Sequence, residues 1–415
     1  MQYRTIKKNI TTKFGAFSMI ANRYLISGET FVLPDKSGIY QVSLSDDEIN
    51  EKYKKGEIRI VTEQARYPLD SIETMLDSKK YILNPEYQRR KRWDNTRKSR
   101  LIESFIMNVP IPPIFLYEVD YSIYEVMDGL QRLTAIYDFY KGKFNLEGLE
   151  YWRELNGRNC INLPEQVKRG IDRRYLSSIV LLQETAKSTE EADFLKQIVF
   201  ERLNSGGEKL TPQETRNALR NGKFNQLCIK LAQNDSFRKM WKLPLESEGE
   251  EKLLESESYR KMEDVELVLR FFAYRHIANF KSPVDKFLDD YLKQANNYLD
   301  ETIKNLENLF NETIDLVYSI FGDAAFIPPK EKRDNKTPIK TVYDPMMQVV
   351  ANNIDKKEIL LKNSQSIRTN LYSDKELLYV KEENNRPLFD GRYNNKKDVE
   401  ARIKYFQEFL QGFTS

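Results

Sequence analysis

Between residues 67 and 220 two hydrophobic patterns take turns: short β-branched or aromatic runs, and longer stretches with helical spacing. The short runs Lys80–Leu83, Ile114–Val119, Ile123–Met127 and Ser178–Gln183 predict strands. Leu101, Ile102, Phe105, Ile106 and Val109 share one helical face. So do Leu133, Ile136, Tyr137 and Tyr140, and further on Leu195, Ile198, Val199 and Leu203. Strands alternating with helices predict an α/β (α+β) core. Val109 to Pro113 predicts an extended connector into the second strand, because a residue before proline is held out of the helical region. From about residue 221 the strand signals thin out. Met262–Tyr274 and Tyr298–Phe321 keep a helical period, and Leu299, Ile303, Leu306, Phe310 and Val317 form one stripe that reads as core. Ala324–Pro345 is charged and proline-bearing and reads as a loop. Residues 1–66 are mixed, with Thr30–Leu33 and Ile39–Leu44 as candidate strands around a Pro34–Gly38 turn. The expected organisation is an N-terminal extension (1–66), an α/β core (67–220) and a mostly helical C-terminal domain (221–415).

Composition narrows the class. A chain of 415 residues can bury more than one core, and 40% hydrophobic with 31% charged residues fits a soluble globular protein. The net charge of +3 implies no general affinity for nucleic acid, so any such site must come from a local cluster. Two cysteines, Cys160 and Cys228, support neither a disulfide framework nor a metal knuckle and suit a reducing compartment. No apolar run approaches the ~18 residues of a membrane helix, and the N-terminus lacks a signal-peptide core. The expectation is a cytoplasmic protein with no membrane partner.

The candidate chemistry lies in three stretches. Asp128-Gly129 falls where the strand ending at Met127 gives way to the helix carrying Leu133 and Ile136. Such a junction offers unpaired backbone N–H groups and the positive end of a helix dipole, which suits an anion. Gln131 and Arg132 fall in the first turn of that helix. A carboxylate beside phosphates is repulsive unless it holds a metal ion or takes a proton from water, so Asp128 points to chemistry. The second stretch runs from Tyr87 to Arg100, with seven basic residues against one acid. Asp94 is suited to cap the following helix. Arg97 and Lys98 then oppose the dipole, a penalty that a bound anion would relieve. A solvated basic face is the plain alternative, set against the aromatics Tyr87 and Trp93 inside the run. In the third stretch Gly206 and Gly207 end one helix, and Thr211 with Glu214 and Pro212 starts the next as a capping box. Asn204–Leu210 is then a loop between helices, either a ligand loop that lets backbone approach closely or a corner with no ligand.

Taken in order, these stretches resemble the N-terminal domain of the GmrSD modification-dependent restriction enzymes, in the ParB/sulfiredoxin-like superfamily. The matching residues are Pro85, Tyr87, Gln88 and Arg89, then Asp128, Gly129, Gln131 and Arg132, then Asn204, Gly206, Gly207 and Leu210. The resemblance covers roughly residues 65–220. It departs at Leu130, where the family has a first glutamine whose amide is suited to positioning an attacking water. The resemblance implies a ParB/sulfiredoxin-like fold that binds, and in that family hydrolyses, a nucleoside triphosphate with Mg²⁺. Asp128 would serve metal or water, and Gln131 and Arg132, completing the catalytic set, would contact phosphates together with Arg89. Gln88, Arg89, Gly129, Asn204, Gly206 and Gly207 would line the nucleotide, and Asn204 would join Asp128 at the metal. The residues alone reach only an anion site with a carboxylate; the nucleotide comes from the resemblance.

His276 is the sole histidine, on an apolar helical stretch, and reads as a core residue; an HNH nuclease needs histidine as base and ligand. No Gly-x-x-x-x-Gly-Lys-Ser/Thr occurs, which excludes a P-loop ATPase. Asp390-Gly391-Arg392 reads as a turn. Three functions follow. The first is a nucleotide-dependent switch of a prokaryotic, restriction-like phage-defence system. It would act on a separately encoded effector, and its helical half would supply a dimer or partner surface. The second is a nucleic-acid module in which Arg90, Arg92, Arg97 and Lys98 clamp DNA backbone. The third is a divalent-metal nuclease using Asp128 and Glu86, ranked last because two-metal sites need several carboxylates.

Overall fold

The computed structural model describes residues 25–33, 44–55, 60–83, 90, 93–182, 188–203, 210–281, 283–328, 337–380, 385–392 and 394–414. The chain divides into two compact units, one of residues 39–210 and one that joins 1–38 to 211–415. The extension read as one piece is therefore shared: described residues 25–33 pack on the helical unit, while the sheet of the other unit begins at Thr62.

In the 39–210 unit the elements are α1 (Asp46–Lys55), β1 (Thr62–Pro68), α2 (Ile72–Asp77), β2 (Tyr81–Ile82) and α3 (Asn95–Ile106). They continue with β3 (Ile114–Asp120), β4 (Ile123–Asp128), α4 (Leu130–Tyr140), α5 (Glu165–Asp172), β5 (Tyr175–Leu181) and α6 (Thr189–Leu203). The strands form one mixed sheet in the order β1-β5-β3-β4-β2. β1 and β4 run antiparallel to their neighbours β5 and β3, whereas β3 with β5 and β2 with β4 are parallel. Ile114 and Leu116 of β3, Leu176 and Val180 of β5, Leu133, Ile136 and Phe139 of α4, and Leu101, Ile102 and Phe105 of α3 share one core. The two edge strands meet through side chains. The Tyr81 hydroxyl lies 3.3 Å from that of Tyr67, and Tyr81 stacks on Tyr124 with centroids 5.4 Å apart. Four strand spacings in a flat sheet would separate those edges by about 19 Å, so the sheet curls.

The helical reading of the C-terminal half holds. Its helices are α7 (Pro212–Leu219), α8 (Lys223–Leu231), α9 (Asp235–Trp241), α10 (Glu250–Glu255), α11 (Glu257–Arg260) and α12 (Glu263–Tyr274). After them come α13 (Val284–Ala295), α14 (Asp300–Phe321), α15 (Lys340–Ala351), α16 (Lys357–Lys362), α17 (Ser364–Asn370) and α18 (Lys396–Thr414). A two-stranded ribbon, β6 (Tyr379–Val380) with β7 (Arg386–Pro387), precedes α18. The fold is thus an α+β domain with a mostly helical remainder, as expected.

Several elements differ from the periodic reading. β1 gives no periodic signal, because this edge strand turns mainly Ala65 and Tyr67 inward among exposed polar residues. β5 begins at Tyr175 and ends at Leu181, earlier than expected. α3 stops at Ile106, and Val109 is exposed beyond a left-handed Asn108. The expected loop 324–345 gives way at Lys340 to α15, in which Pro345 sits inside the helix. An internal proline costs roughly 3 kcal/mol. Every residue from Thr341 to Ala351 is buried, and that packing outweighs the loss. Leu299 is exposed as the residue before α14, while Leu306, Phe310 and Val317 face the core of their own unit. That stripe is therefore not a free dimer or partner surface. Thr30–Leu33 forms no ladder, and positions 39–43 of the other candidate strand lie outside the described residues.

His276 is buried, as expected, with Nε2 3.2 Å from Glu29 Oε1. Asp390-Gly391-Arg392 is a turn in which Arg392 folds back on Asp390, its Nε 3.0 Å from Oδ2. Among the described residues no helix is long and apolar enough to cross a membrane.

Candidate functional site

The site is built where β4 hands over to α4. Along β4, Val126 opposes Leu116, but Asp128 rather than Met127 opposes Phe115. The extra residue is a β-bulge, a device that re-aims a side chain at a strand end. Gly129 follows with φ +90° and ψ 10°, the left-handed region. A β-carbon there would lie 2.3 Å from Ile114 Cγ2, so the position excludes side chains on both counts. Gly129 is also the N-cap of α4 and supplies no side-chain acceptor. The first-turn amides of α4 therefore lack the usual cap, while the dipole makes that end positive.

The polar residues of this junction bind one another and the backbone. Arg132 Nη2 donates to Asp128 Oδ2 at 2.7 Å. Its Nη1 donates to the carbonyl of Pro113 at 3.1 Å and to that of Pro112. The Arg132 side chain is 13% exposed, whereas Asp128 is 44% exposed. Gln131 Oε1 accepts the Trp93 N–H at 3.1 Å, tying the junction to the residue before the N-cap of α3. Asp94 caps α3 as expected, accepting from the Arg97 N–H at 2.7 Å. Leu130 turns inward and is buried. Leu130→Gln is therefore expected to cost about 1–3 kcal/mol in a urea titration, since it buries an amide. A gain of nucleotide hydrolysis in that variant would instead mean that the helix start rearranges to bring position 130 outward.

The basic run is only partly a surface. Arg90 is buried. Lys98 is 13% exposed and pairs with Asp138 at 2.8 Å, so neither residue is placed to grip a nucleic-acid backbone. Arg97 remains exposed and stacks on the Trp93 ring, 4.8 Å from its centroid. Of the two first-turn cations, Lys98 thus has a carboxylate partner and Arg97 an aromatic one. Gln88, Arg89, Arg92, Asn204, Gly206 and Gly207 lie outside the described residues, as does Glu86. What the structure brings together is Asp128, Gly129, Gln131 and Arg132. Among the described residues no three His, Cys, Asp or Glu side chains gather as metal ligands.

Two features near the site gave no signal in the sequence. Lys196 of α6 pairs with Glu125 of β4, with its ammonium 5.5 Å from the Tyr117 ring centroid. This pair fixes on β4 the helix that ends at Leu203, directly before the third motif. Burial pushes the Tyr117 hydroxyl up, with Asp193 and Glu125 adding to it. The second feature is the pair of carbonyls at Pro112 and Pro113. Beyond the third motif, in the helical unit, the capping box of α7 is formed: Thr211 N donates to Glu214 Oε2 at 2.6 Å and Glu214 N to Thr211 Oγ1 at 3.2 Å.

No curated protein and no solved structure matches the chain. A family model does, over α2 to α7 and so across all three motifs: residues 72–220 are similar to the family described as GmrSD restriction endonuclease, N-terminal domain.

Proposed function

We propose that the 72–220 domain binds a nucleoside triphosphate with Mg²⁺ and acts as the sensor or switch of a restriction-like defence system, controlling an effector on a separate chain. The observation that carries this reading is the start of α4. A glycine at φ +90° opens a helix whose first-turn amides have no side-chain cap, and a half-exposed carboxylate stands directly before it. Uncapped amides at a positive helix end attract phosphate, and the carboxylate there is tolerable when it serves a cation. Mg²⁺ is commonly bound through one or two carboxylates plus substrate phosphates, so Asp128 fits it. Asp128 Oδ2 is taken by Arg132, which leaves Oδ1 to hold the ion. When bound, the ion would neutralise charge on the triphosphate. The family match supplies the restriction setting.

Equilibrium binding of labelled triphosphates with Mg²⁺, beside labelled DNA, each over a salt series, tests the reading. Saturable nucleotide binding that Mg²⁺ strengthens is expected. Asp128→Ala is expected to abolish any hydrolysis and the strengthening by Mg²⁺, while Mg²⁺-free binding persists, because the substitution also removes a charge that repels phosphate. Unchanged turnover would assign the chemistry elsewhere. The exposed Arg97 on Trp93 favours a second reading, a nucleic-acid clamp. DNA affinity that falls steeply with salt, with no nucleotide binding, would select it.

A further inference from the structure

Arg132 occupies the first turn of α4, where a cation works against the helix dipole. Three acceptors hold it there. Two are carbonyls of the Pro112-Pro113 connector, and the third is Asp128 Oδ2 at 2.7 Å. The connector needs this help, because a proline has no N–H with which to join a ladder. Its carbonyls are fixed by a side chain from the next helix instead. Arg132 therefore spans from the lead-in of β3 to the end of β4, across the position where Gly129 lies against Ile114. Gln131, one residue earlier, makes the matching link on the other side. Its Oε1 accepts the Trp93 N–H, and Trp93 carries Arg97 on its ring.

We propose that Arg132 and Gln131 are positioning residues in this chain, not phosphate ligands. Arg132 sets the Asp128 carboxylate by binding it and the proline connector with one planar fork. Gln131 sets the start of α3 relative to α4. A guanidinium turned toward a phosphate would forfeit these bonds and release the carboxylate it orients. The groups left to face the ligand are Asp128 Oδ1 and the first-turn amides of α4. The part played by those groups rests on the nucleotide reading; the bracket formed by Arg132 and Gln131 does not.

The experiment joins amide hydrogen exchange of the free protein to nucleotide binding. Without nucleotide, Gln131→Ala is expected to speed exchange of the Trp93 amide at least tenfold. Arg132→Ala is expected to speed exchange of Ile111 and of Ile114 to Tyr117. With Mg²⁺ and a triphosphate, Arg132→Ala is expected to weaken binding while leaving its salt dependence as in the parent, because no phosphate-contacting cation has been lost. Exchange unchanged in both variants overturns the bracket. Nucleotide binding that becomes clearly less salt-dependent in Arg132→Ala overturns the positioning role in favour of phosphate contact. A parent protein that binds no triphosphate sinks the nucleotide reading, and the exchange measurements then decide the bracket by themselves.

Discussion

Gly129→Ala is expected to lower the unfolding free energy of the sheet unit by about 2–4 kcal/mol, backbone strain and overpacking together. The residue sits at φ +90°, and the added carbon would stand 2.3 Å from Ile114 Cγ2 and 2.9 Å from Ile114 Cβ. Ile114 is fully buried on β3, so its branch cannot swing aside without disturbing the core. Gly157 provides the control. It has φ +83°, and a methyl group added there would meet nothing within 4 Å, so Gly157→Ala carries only the backbone strain, about 1–2 kcal/mol. Urea titrations of the two variants separate the effects. Equal losses would mean that the contact with Ile114 is unimportant. A double-mutant cycle with Ile114→Ala should show favourable coupling of about 1 kcal/mol or more, because the truncated neighbour makes room. The same substitution displaces the start of α4, so on the proposed nucleotide reading triphosphate binding should fall together with stability.

Glu29→Gln is expected to destabilise the helical unit by about 3–5 kcal/mol, the usual cost of stripping one partner from a buried ion pair. Residues 25–33 lie across this unit, held by Thr302 to the Ser27 carbonyl, Tyr298 to that of Thr30, Asn279 to that of Phe31, and Gln294 to both polar groups of the Val32 backbone. At their centre Glu29 receives Arg275 Nε and Nη2, each at 2.8 Å, with His276 alongside. Burial by itself raises the carboxyl. Arg275 and then His276 outweigh it and hold the group at about 2 against its ordinary 4.5. A folded value below the unfolded one means a contribution that is complete above about pH 4.5 and disappears as the pH falls toward 2. That contribution is on the order of 3 kcal/mol. Guanidinium titrations of the parent at a series of acidic pH values should show the loss across this window. Glu29→Gln should remove that component of the slope. A variant whose stability falls with pH as steeply as the parent's would mean that Glu29 is not the group responsible. Removing both partners, with Glu29→Gln and Arg275→Met, should recover much of the loss, since no buried charge then lacks its counterion.

Several parts of the fold were legible because their causes lie within a few residues. Asp94 caps α3 and Thr211 with Glu214 caps α7, each through bonds between residues three apart. The strand-to-helix junction at Asp128-Gly129 is likewise local, set by a change of hydrophobic period and a glycine. The helical character of the C-terminal half follows from the spacing of residues such as Leu306, Phe310 and Val317.

What the chain does with those elements depended on partners distant in sequence. β1 is recognisable only through its pairing with β5, because an edge strand needs few inward apolar residues. α15 survives Pro345 only because it is buried along its length. Glu29 could not be assigned a role until it met Arg275, and Lys196 until it met Glu125. The same holds at the candidate site. By itself the sequence determined that a carboxylate stands where a strand gives way to a helix start, a matter of residue type and order. Only the tertiary structure decided that Arg132 spends its donors on Pro112, Pro113 and Asp128, that Gln131 binds the Trp93 backbone, and that Lys98 is neutralised by Asp138. A side chain's donors go to whichever acceptors packing brings within about 3 Å, and no local pattern encodes that choice.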